Sequence, residues 1–531
     1  MLKKVLIVFV LWMSFYTVLG QDKKNHWIDS VFQTLSPRDK IGQLFIAQIS
    51  SYSTPDELGN IIDEIEDSHI GGVLISNGGP VGTSSLLNKL QKISKVPLLV
   101  MMEAERGPGT TLDSLISFPP ALSLGAIKDD SLLLALGYEI ARQMKILGVH
   151  VNLGLNADID VAEMSPFTYF GTDKYSVSRS TASLMRGMQA NGVIACAMHT
   201  SIPADEDEKL PAYEIDFVAN RLDTSSFYPY QQLIDQSVGS ILTSNLHFTT
   251  LDKKKPIPAS ISQLFVSDVL KKQLGFKGLT ITDSEYFHQL SRKSKSESDK
   301  LAFEVGNDLI MNSQNINASI KKIEAALKKN GNLKLQLDNS IKRILAAKYQ
   351  VGLWQSNFTN TNNLAAKINT PEALILKDKI IEASLTVARN PQNLIPIQHL
   401  DGKRFASVSI GTGNAYAFNS QLEKYASFDT YSIANPEDTL QLRDKLREYD
   451  AVVLSVFSLA PKEKSLAIQL IHQLETEKVI LCSFDNPYAL AGLRKAVTTI
   501  LGYSSEAPVL SQVAQLIFGA RQGRGITPVA V

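Results

Sequence analysis

The stretch SISQLFVSDVLKKQLGFKGLTITD, residues 260–283, sets a helix-length amphipathic segment directly before a short apolar run. That is the order of a helix feeding a strand of a parallel sheet. The same alternation continues outward in both directions, from about Ser36 to Trp354. Its strand candidates are IGQLFIAQIS, GGVLIS, PLLVMME, VHVNLGL, VIACAMH, SILTSN, LTITD and DLIMN. Between them lie helical patterns such as SLLLALGYEIARQMKILG, and the last, a long one, ends in IKRILAAKYQVGLW. Eight strands joined by helices is the count of a closed (β/α)8 TIM-like barrel, an α/β fold whose chemistry sits at the carboxyl ends of its strands.

Beyond the barrel, Gln355 to Asn363 (QSNFTNTNN) has an Asn/Thr/Ser composition that reads as a linker. The sequence thus predicts a barrel over 21–354, a linker over 355–370 and a smaller α/β sandwich domain over 371–531. In the last, a helical segment near residues 371 to 389 precedes the strand candidates FASVSIG, DAVVLSVF, KVILCSF and VTTILGY, expected to form an open parallel sheet. Gly411 and Gly413 resemble part of a phosphate loop, but Tyr416 stands where a dinucleotide fingerprint needs its third glycine, so a strand-to-helix turn is the better reading.

The 531 residues are 44% hydrophobic, enough for two cores. Lys and Arg total 53 and so do Asp and Glu, a balance with no electrostatic footprint for nucleic acid or an anionic membrane surface. Cys196 and Cys482 each lie inside an apolar run, as small buried hydrophobes and not as a disulfide or a thiolate metal site. At the start, Lys3 and Lys4 precede an uncharged stretch from Val5 to Leu19 and then Gly20, the layout of a signal peptide over 1–20. The apolar stretch is shorter than the ~20 residues of a comfortable membrane span. No lipid-attachment cysteine follows it. The expectation is an exported protein, periplasmic or extracellular, with no stable membrane insertion of the mature chain.

Just past the strand candidates stand Glu103 and Glu105, Asn156 and Asp158, His199 and Asp205, Asn245 and His247, and Asp283 and Glu285. Several carboxyl groups at one barrel mouth, without a Ser-His-Asp signature or a metal-type His/Cys cluster, point to acid, base or carboxylate-nucleophile chemistry. Glycoside hydrolysis is the commonest instance, and it requires no cofactor. The competing explanation is that these residues cap the helices that follow.

The stretches LSPRDKIGQLF, GGVLIS, PLLVMMEAERG, GVHVNLGLNADIDV, FGTDKYSV, LGFKGLTITDS and LDNSIKRILAAKYQVGLW resemble the family 3 glycoside hydrolases in order and spacing, and so do IIEASLTVARNPQNLIPI and QGRGITPVAV in the second domain. AERGPGTTLDSLISFPPALSLGAI is most similar to a bacterial β-N-acetylglucosaminidase-type branch, in which the same two domains are often followed by a serine β-lactamase-like domain. The resemblance implies a retaining mechanism. A strand-end Asp attacks the anomeric carbon, a His in the loop after the fifth strand protonates the leaving oxygen, and a Lys-His pair, an Asp and Arg residues hold the sugar. The nucleophile's motif matches as Thr282-Asp283. Glu103, one methylene longer, replaces the family's sugar-binding Asp, and Asp158 matches a structural Asp after the fourth strand.

Several positions depart from the pattern. The family's Lys-His-Phe-Pro-Gly-His-Gly-Asp run appears as Met198-His199-Thr200-Ser201-Ile202-Pro203-Ala204-Asp205, so His199 and Asp205 match, but Met198 replaces the Lys and Pro203 the proton-donating His. Thr111 and Thr168 replace two sugar-binding Arg residues. Losing a positioned proton donor typically forfeits ~10² to 10⁴ in rate. Glu206, Asp207, Glu208, Glu285 and His288 are the replacement donors within reach in sequence, although the run at Asp205 to Lys209 also fits a solvated acidic loop. Two functions follow from the resemblance: a glycosidase acting on N-acetylglucosamine-containing glycans such as cell-wall fragments, or an inactive member that binds glycan or serves as a cell-envelope partner surface.

Overall fold

In the computed structural model, residues 22–159, 168–198, 212–213, 227–244, 247–248, 257–283, 294–355, 358–411, 413–457, 461–485, 487–490 and 497–529 are described. Contacts divide the chain into two units. One comprises Met1–Ile116, Tyr138–Leu155 and Met188–Ile368, the other Ser117–Gly137, Asn156–Gly187 and Asn369–Val531.

All eight barrel strands form where the apolar runs place them: β1 (Phe45–Ser50), β2 (Gly72–Asn77), β3 (Leu99–Met102), β4 (Val151–Asn156), β5 (Ile194–Met198), β6 (Ser240–Thr243), β7 (Leu279–Thr282) and β8 (Ile310–Met311). They are hydrogen-bonded in the order β8-β1-β2-β3-β4-β5-β6-β7. The ring closes by a parallel bridge between Ile281 and Leu309. Thr282 N–H donates to the Leu309 carbonyl there, and Leu309 N–H to that of Thr280, both at 3.0 Å. Every residue of β4 is buried, as a parallel strand covered on both faces must be.

Local chemistry fixes the helices. Thr54 and Glu57 form a capping box at the start of the helix Pro55–Ser68, and Ser36 and Asp39 another at Pro37–Gly42. Each box satisfies two otherwise orphaned N–H groups, with a proline fitted to the first turn. The amphipathic segment before β7 is helical over Leu264–Gln273 but wound wider than an α-helix, with Leu274 N–H reaching back five residues to the Val269 carbonyl.

The amino-terminal ends of the strands are built for stability. Buried Asp308 accepts from Ser340 Oγ at 2.7 Å, from Arg343 at 2.6 Å, and from Thr280 Oγ1 at 3.0 Å. Burial pushes its carboxyl up, but Lys271 and Arg343 outweigh that and hold it below the usual range. Fully buried Lys348 donates to Gln43 Oε1 at 2.7 Å, and burial brings its amine down to about 7. His150 Nδ1 accepts from Val100 N–H at 3.0 Å. Burial, with Lys348 adding to it, holds the imidazole down to about 4.

The stretch that reads as a linker is tied down within this unit. Thr359 N–H donates to Asn88 Oδ1, and Asn88 Nδ2 to the Thr359 carbonyl, both at 2.8 Å.

The second unit holds a six-stranded sheet that is mixed, where a parallel one was expected. Its strands are β9 (Thr386–Arg389), β10 (Phe405–Ile410), β11 (Phe428–Ile433), β12 (Ala451–Val456), β13 (Val479–Ser483) and β14 (Thr498–Leu501). The order is β9-β14-β13-β12-β10-β11, and β9 runs antiparallel to β14. The helix expected to reach residue 389 ends at Ser384, and the chain turns into β9. β11 was not expected because, as an edge strand, it leaves all but its last residue half-buried or exposed in place of an apolar run. Two apolar clusters cover the sheet, one including Val408, Leu454 and Leu481, the other Val453, Ile480 and Ile500. At Gly413 a Cβ would lie 2.4 Å from Phe457 Cβ, so close packing accounts for that glycine without a phosphate.

Both cysteines are buried and free, and burial pushes the Cys196 thiol up to about 12. No helix among the described residues is long and apolar enough to cross a membrane. The proposed signal peptide, residues 1–20, lies outside the described residues.

Candidate active site

Asp283 is the first residue past β7, at the carboxyl-terminal rim of the barrel. It is 8% exposed, and its N–H donates to the Thr243 carbonyl at 3.2 Å. The support beneath it is polar and interlocked. Thr243 Oγ1 donates to Asn307 Oδ1 at 2.9 Å. Asn307 Nδ2 donates in turn to the carbonyls of Ser260 and Ala302, at 2.7 and 2.9 Å. Met311 N–H donates to Thr282 Oγ1 at 3.1 Å. These bonds join β6, β7 and β8 just below the carboxyl group, so its backbone platform is fixed by fully partnered buried groups.

Glu103 follows β3, four strands round the ring from β7, and is exposed. Its loop folds back on itself. Thr110 Oγ1 at 3.3 Å and Thr111 Oγ1 both donate to the Glu103 carbonyl. Thr111, which stands where the family resemblance places an arginine, is thus turned onto the backbone. Asn152 on β4 anchors the same loop: Ala104 N–H donates to its Oδ1 at 3.1 Å, and its Nδ2 donates to the Ala104 carbonyl at 3.0 Å. Gly154 lets this loop approach, since a Cβ there would lie 2.5 Å from Glu105 N.

Glu105 differs in character from Glu103. Burial pushes its carboxyl up to about 8, Arg106 opposes that, and Glu103 adds to it. At neutral pH it is therefore mainly protonated, and its Oε1 has no hydrogen-bond partner among the described residues. The sequence marks Glu105 only as one strand-end carboxylate among ten polar residues. Its protonation state depends on enclosure by segments distant in the chain.

Asp158 follows β4 and is 5% exposed. Its N–H donates to Asn156 Oδ1 at 2.8 Å, and Asn156 Nδ2 donates to the Thr168 carbonyl at 3.0 Å. β5 ends at Met198, whose carbonyl accepts from Tyr230 O–H at 2.7 Å. His199 and Asp205, together with Pro203, Glu206, Asp207, Glu208, Glu285 and His288, lie outside the described residues. Among the described residues no group of three His, Cys, Asp or Glu side chains is placed to share a metal ion.

The profile of the glycosyl hydrolase family 3 N-terminal domain matches residues 36–347. A beta-N-acetylglucosaminidase/beta-glucosidase of Cellulomonas fimi is 21% identical over 549 aligned residues, covering 95% of each chain. Two solved structures share the fold. A beta-glucoside phosphorylase, BglX, bound to 2FGlc superposes with a TM-score of 0.77 at 19% identity, over 96% of each chain. A family 3 beta-N-acetylglucosaminidase from Paenibacillus sp. str. FPU-7 gives 0.74 at 22% identity, over 94% of this chain and 99% of that one. The match covers the whole barrel, from the first capping box to the closing helix, and the chain belongs to glycosyl hydrolase family 3.

Proposed function

We propose that the protein is an exported, retaining glycosidase of the β-N-acetylglucosaminidase type, cleaving O-glycosidic bonds in N-acetylglucosamine-containing glycans such as cell-wall fragments. The observation that carries this reading is Asp283 at the carboxyl-terminal rim of the barrel, on a platform immobilised by Thr243 and Asn307. The activities named for the Cellulomonas and Paenibacillus relatives support the choice of sugar. In the proposed reaction an Asp283 carboxylate oxygen bonds to the anomeric carbon as the glycosidic C–O bond breaks. The departing oxygen takes a proton from solvent, since Pro203 stands where the family has its donor. A water oxygen then bonds to the anomeric carbon as the bond to Asp283 breaks, returning the proton to solvent. Glu103 binds sugar hydroxyls, helped by His199 and Asp205, and no cofactor takes part.

A second reading, an inactive member serving as a glycan-binding or cell-envelope interaction protein, is favoured by Pro203 at the place of the family's proton donor. Hydrolysis of a chromogenic aryl N-acetylglucosaminide, whose leaving group needs little protonation, separates the two. We expect turnover in the wild type and a loss of about 10³-fold or more in Asp283→Ala. Equal and negligible rates in both proteins would reject the enzyme.

A further inference from the structure

Tyr52 stands on the same carboxyl-terminal rim, two residues past β1. It is 63% exposed, yet it is held at both ends. Its N–H donates to Ser50 Oγ at 2.9 Å, and that hydroxyl in turn donates to Asn77 at the end of β2. Its phenol donates to Asp113 Oδ2. Among the described residues no other side chain donates to that carboxylate. Asp113 is itself fixed through its N–H, which donates to the Gly78 carbonyl at 3.0 Å, beside the Gly78–Leu112 bridge. Val81, 49% exposed, lies in the first turn of the helix Pro80–Ile93 that follows β2.

A large aromatic left open to water ordinarily keeps its rotamer freedom, and immobilising it is unfavourable unless something uses the fixed surface. The face of an aromatic ring carries negative charge, and the axial C–H groups of a pyranose are weakly positive. A carboxylate beside the ring accepts from sugar hydroxyls in charge-assisted hydrogen bonds. The pair therefore has the chemistry of a sugar platform.

Its distance from Glu103, which stands across the ring from Asp283, is bounded by the chain. Thr111 donates to the Glu103 carbonyl, and Asp113 is two residues further on. Asp113 therefore lies within roughly 13 Å of that carbonyl, a gap that a short oligosaccharide spans. We propose that Tyr52 and Asp113 form a rim subsite for a pyranose unit of an oligosaccharide, outside the unit held at Asp283. This rests on the glycosidase reading for the identity of the sugar.

The test is calorimetric titration of the full chain with N-acetylglucosamine and with its β-1,4-linked tetrasaccharide, alongside the aryl glycoside assay. The affinity ratio of tetrasaccharide to monosaccharide is expected to fall about tenfold in Tyr52→Ala. In Tyr52→Phe, which keeps the ring and loses its anchor to Asp113, a fall of about threefold is expected. An unchanged ratio in Tyr52→Ala overturns the subsite even where the wild type hydrolyses the aryl glycoside, and so does a wild type that binds the tetrasaccharide no better than the monosaccharide. A protein that hydrolyses nothing but binds the tetrasaccharide through Tyr52 upholds the subsite and removes the glycosidase.

Discussion

Lys348 and Gln43 meet at 2.7 Å, buried at the amino-terminal end of the barrel and 305 residues apart in the chain, and no carboxylate ion-pairs with the lysine among the described residues. Burial lowers the amine to about 7, so an unfolded chain, whose lysine titrates near the ordinary 10.5, binds more protons between these pH values. Stability contributed at this position therefore rises with pH through that window and is lowest below about pH 7. Replacing Lys348 with Met should stabilise the protein relative to wild type at pH 6 by about 4 kcal/mol more than it does at pH 10. Denaturant titrations at the two pH values give the number, and an equal difference at both would sink the assignment of a neutral amine.

Glu105 has the opposite sign. Its carboxyl is raised to about 8, so the folded protein holds a proton there that the unfolded chain has released above its usual 4.5. The resulting stability is complete at low pH and is lost as pH rises toward 8. In Glu105→Gln that loss should vanish, leaving the variant roughly 4 kcal/mol better off against wild type at pH 8.5 than at pH 4.5. Melting curves that run parallel at all pH values would show a carboxylate already ionised.

Asn152 satisfies both backbone groups of buried Ala104. In Asn152→Ala these would be left without a partner, which costs about 2–3 kcal/mol. The loop that presents Glu103 would also loosen. We predict a KM for the aryl glycoside that rises more than kcat falls. A normal KM in a folded variant would mean that Glu103 is positioned by other contacts.

Asp308 faces Arg343 and Lys271 at the opposite end of the barrel. Asp308→Ala leaves two cations partly enclosed without their counterion, and should lower stability by about 3–5 kcal/mol. Unfolding monitored by circular dichroism measures it. A change under 1 kcal/mol would show that solvent already screens the pair.

Much of this molecule is legible in its sequence. A parallel strand buried on both faces reads as a nearly continuous apolar run, so stretches such as VHVNLGL and VIACAMH mark β4 and β5 without reference to anything else. β11 escapes for the converse reason: FDTYSI leaves most of its residues partly or fully exposed. The end of the helix at Ser384 is decided by pairing of β9 with β14, more than a hundred residues later, which no local pattern carries. At the rim, the position of Asp283 follows from its strand. By contrast, the neutral amine of Lys348 and the raised carboxyl of Glu105 arise from enclosure by remote segments. The anchoring of Tyr52 by Asp113 joins two loops separated by a whole β/α unit.

The barrel is stitched shut at a short seam: β8 has two residues, and its closure onto β7 rests on the bridge between Ile281 and Leu309 and a few flanking bonds from Thr280, Thr282 and Met311. That seam runs directly beneath Asp283. Because short pairings open first, gentle warming should unfasten this corner while the rest of the ring persists. Amide protons of Thr282 and Leu309 would then exchange with deuterium ahead of those in β2 and β4. Any activity lost on heating would then be lost first through a local event at the footing of Asp283, several degrees below global melting.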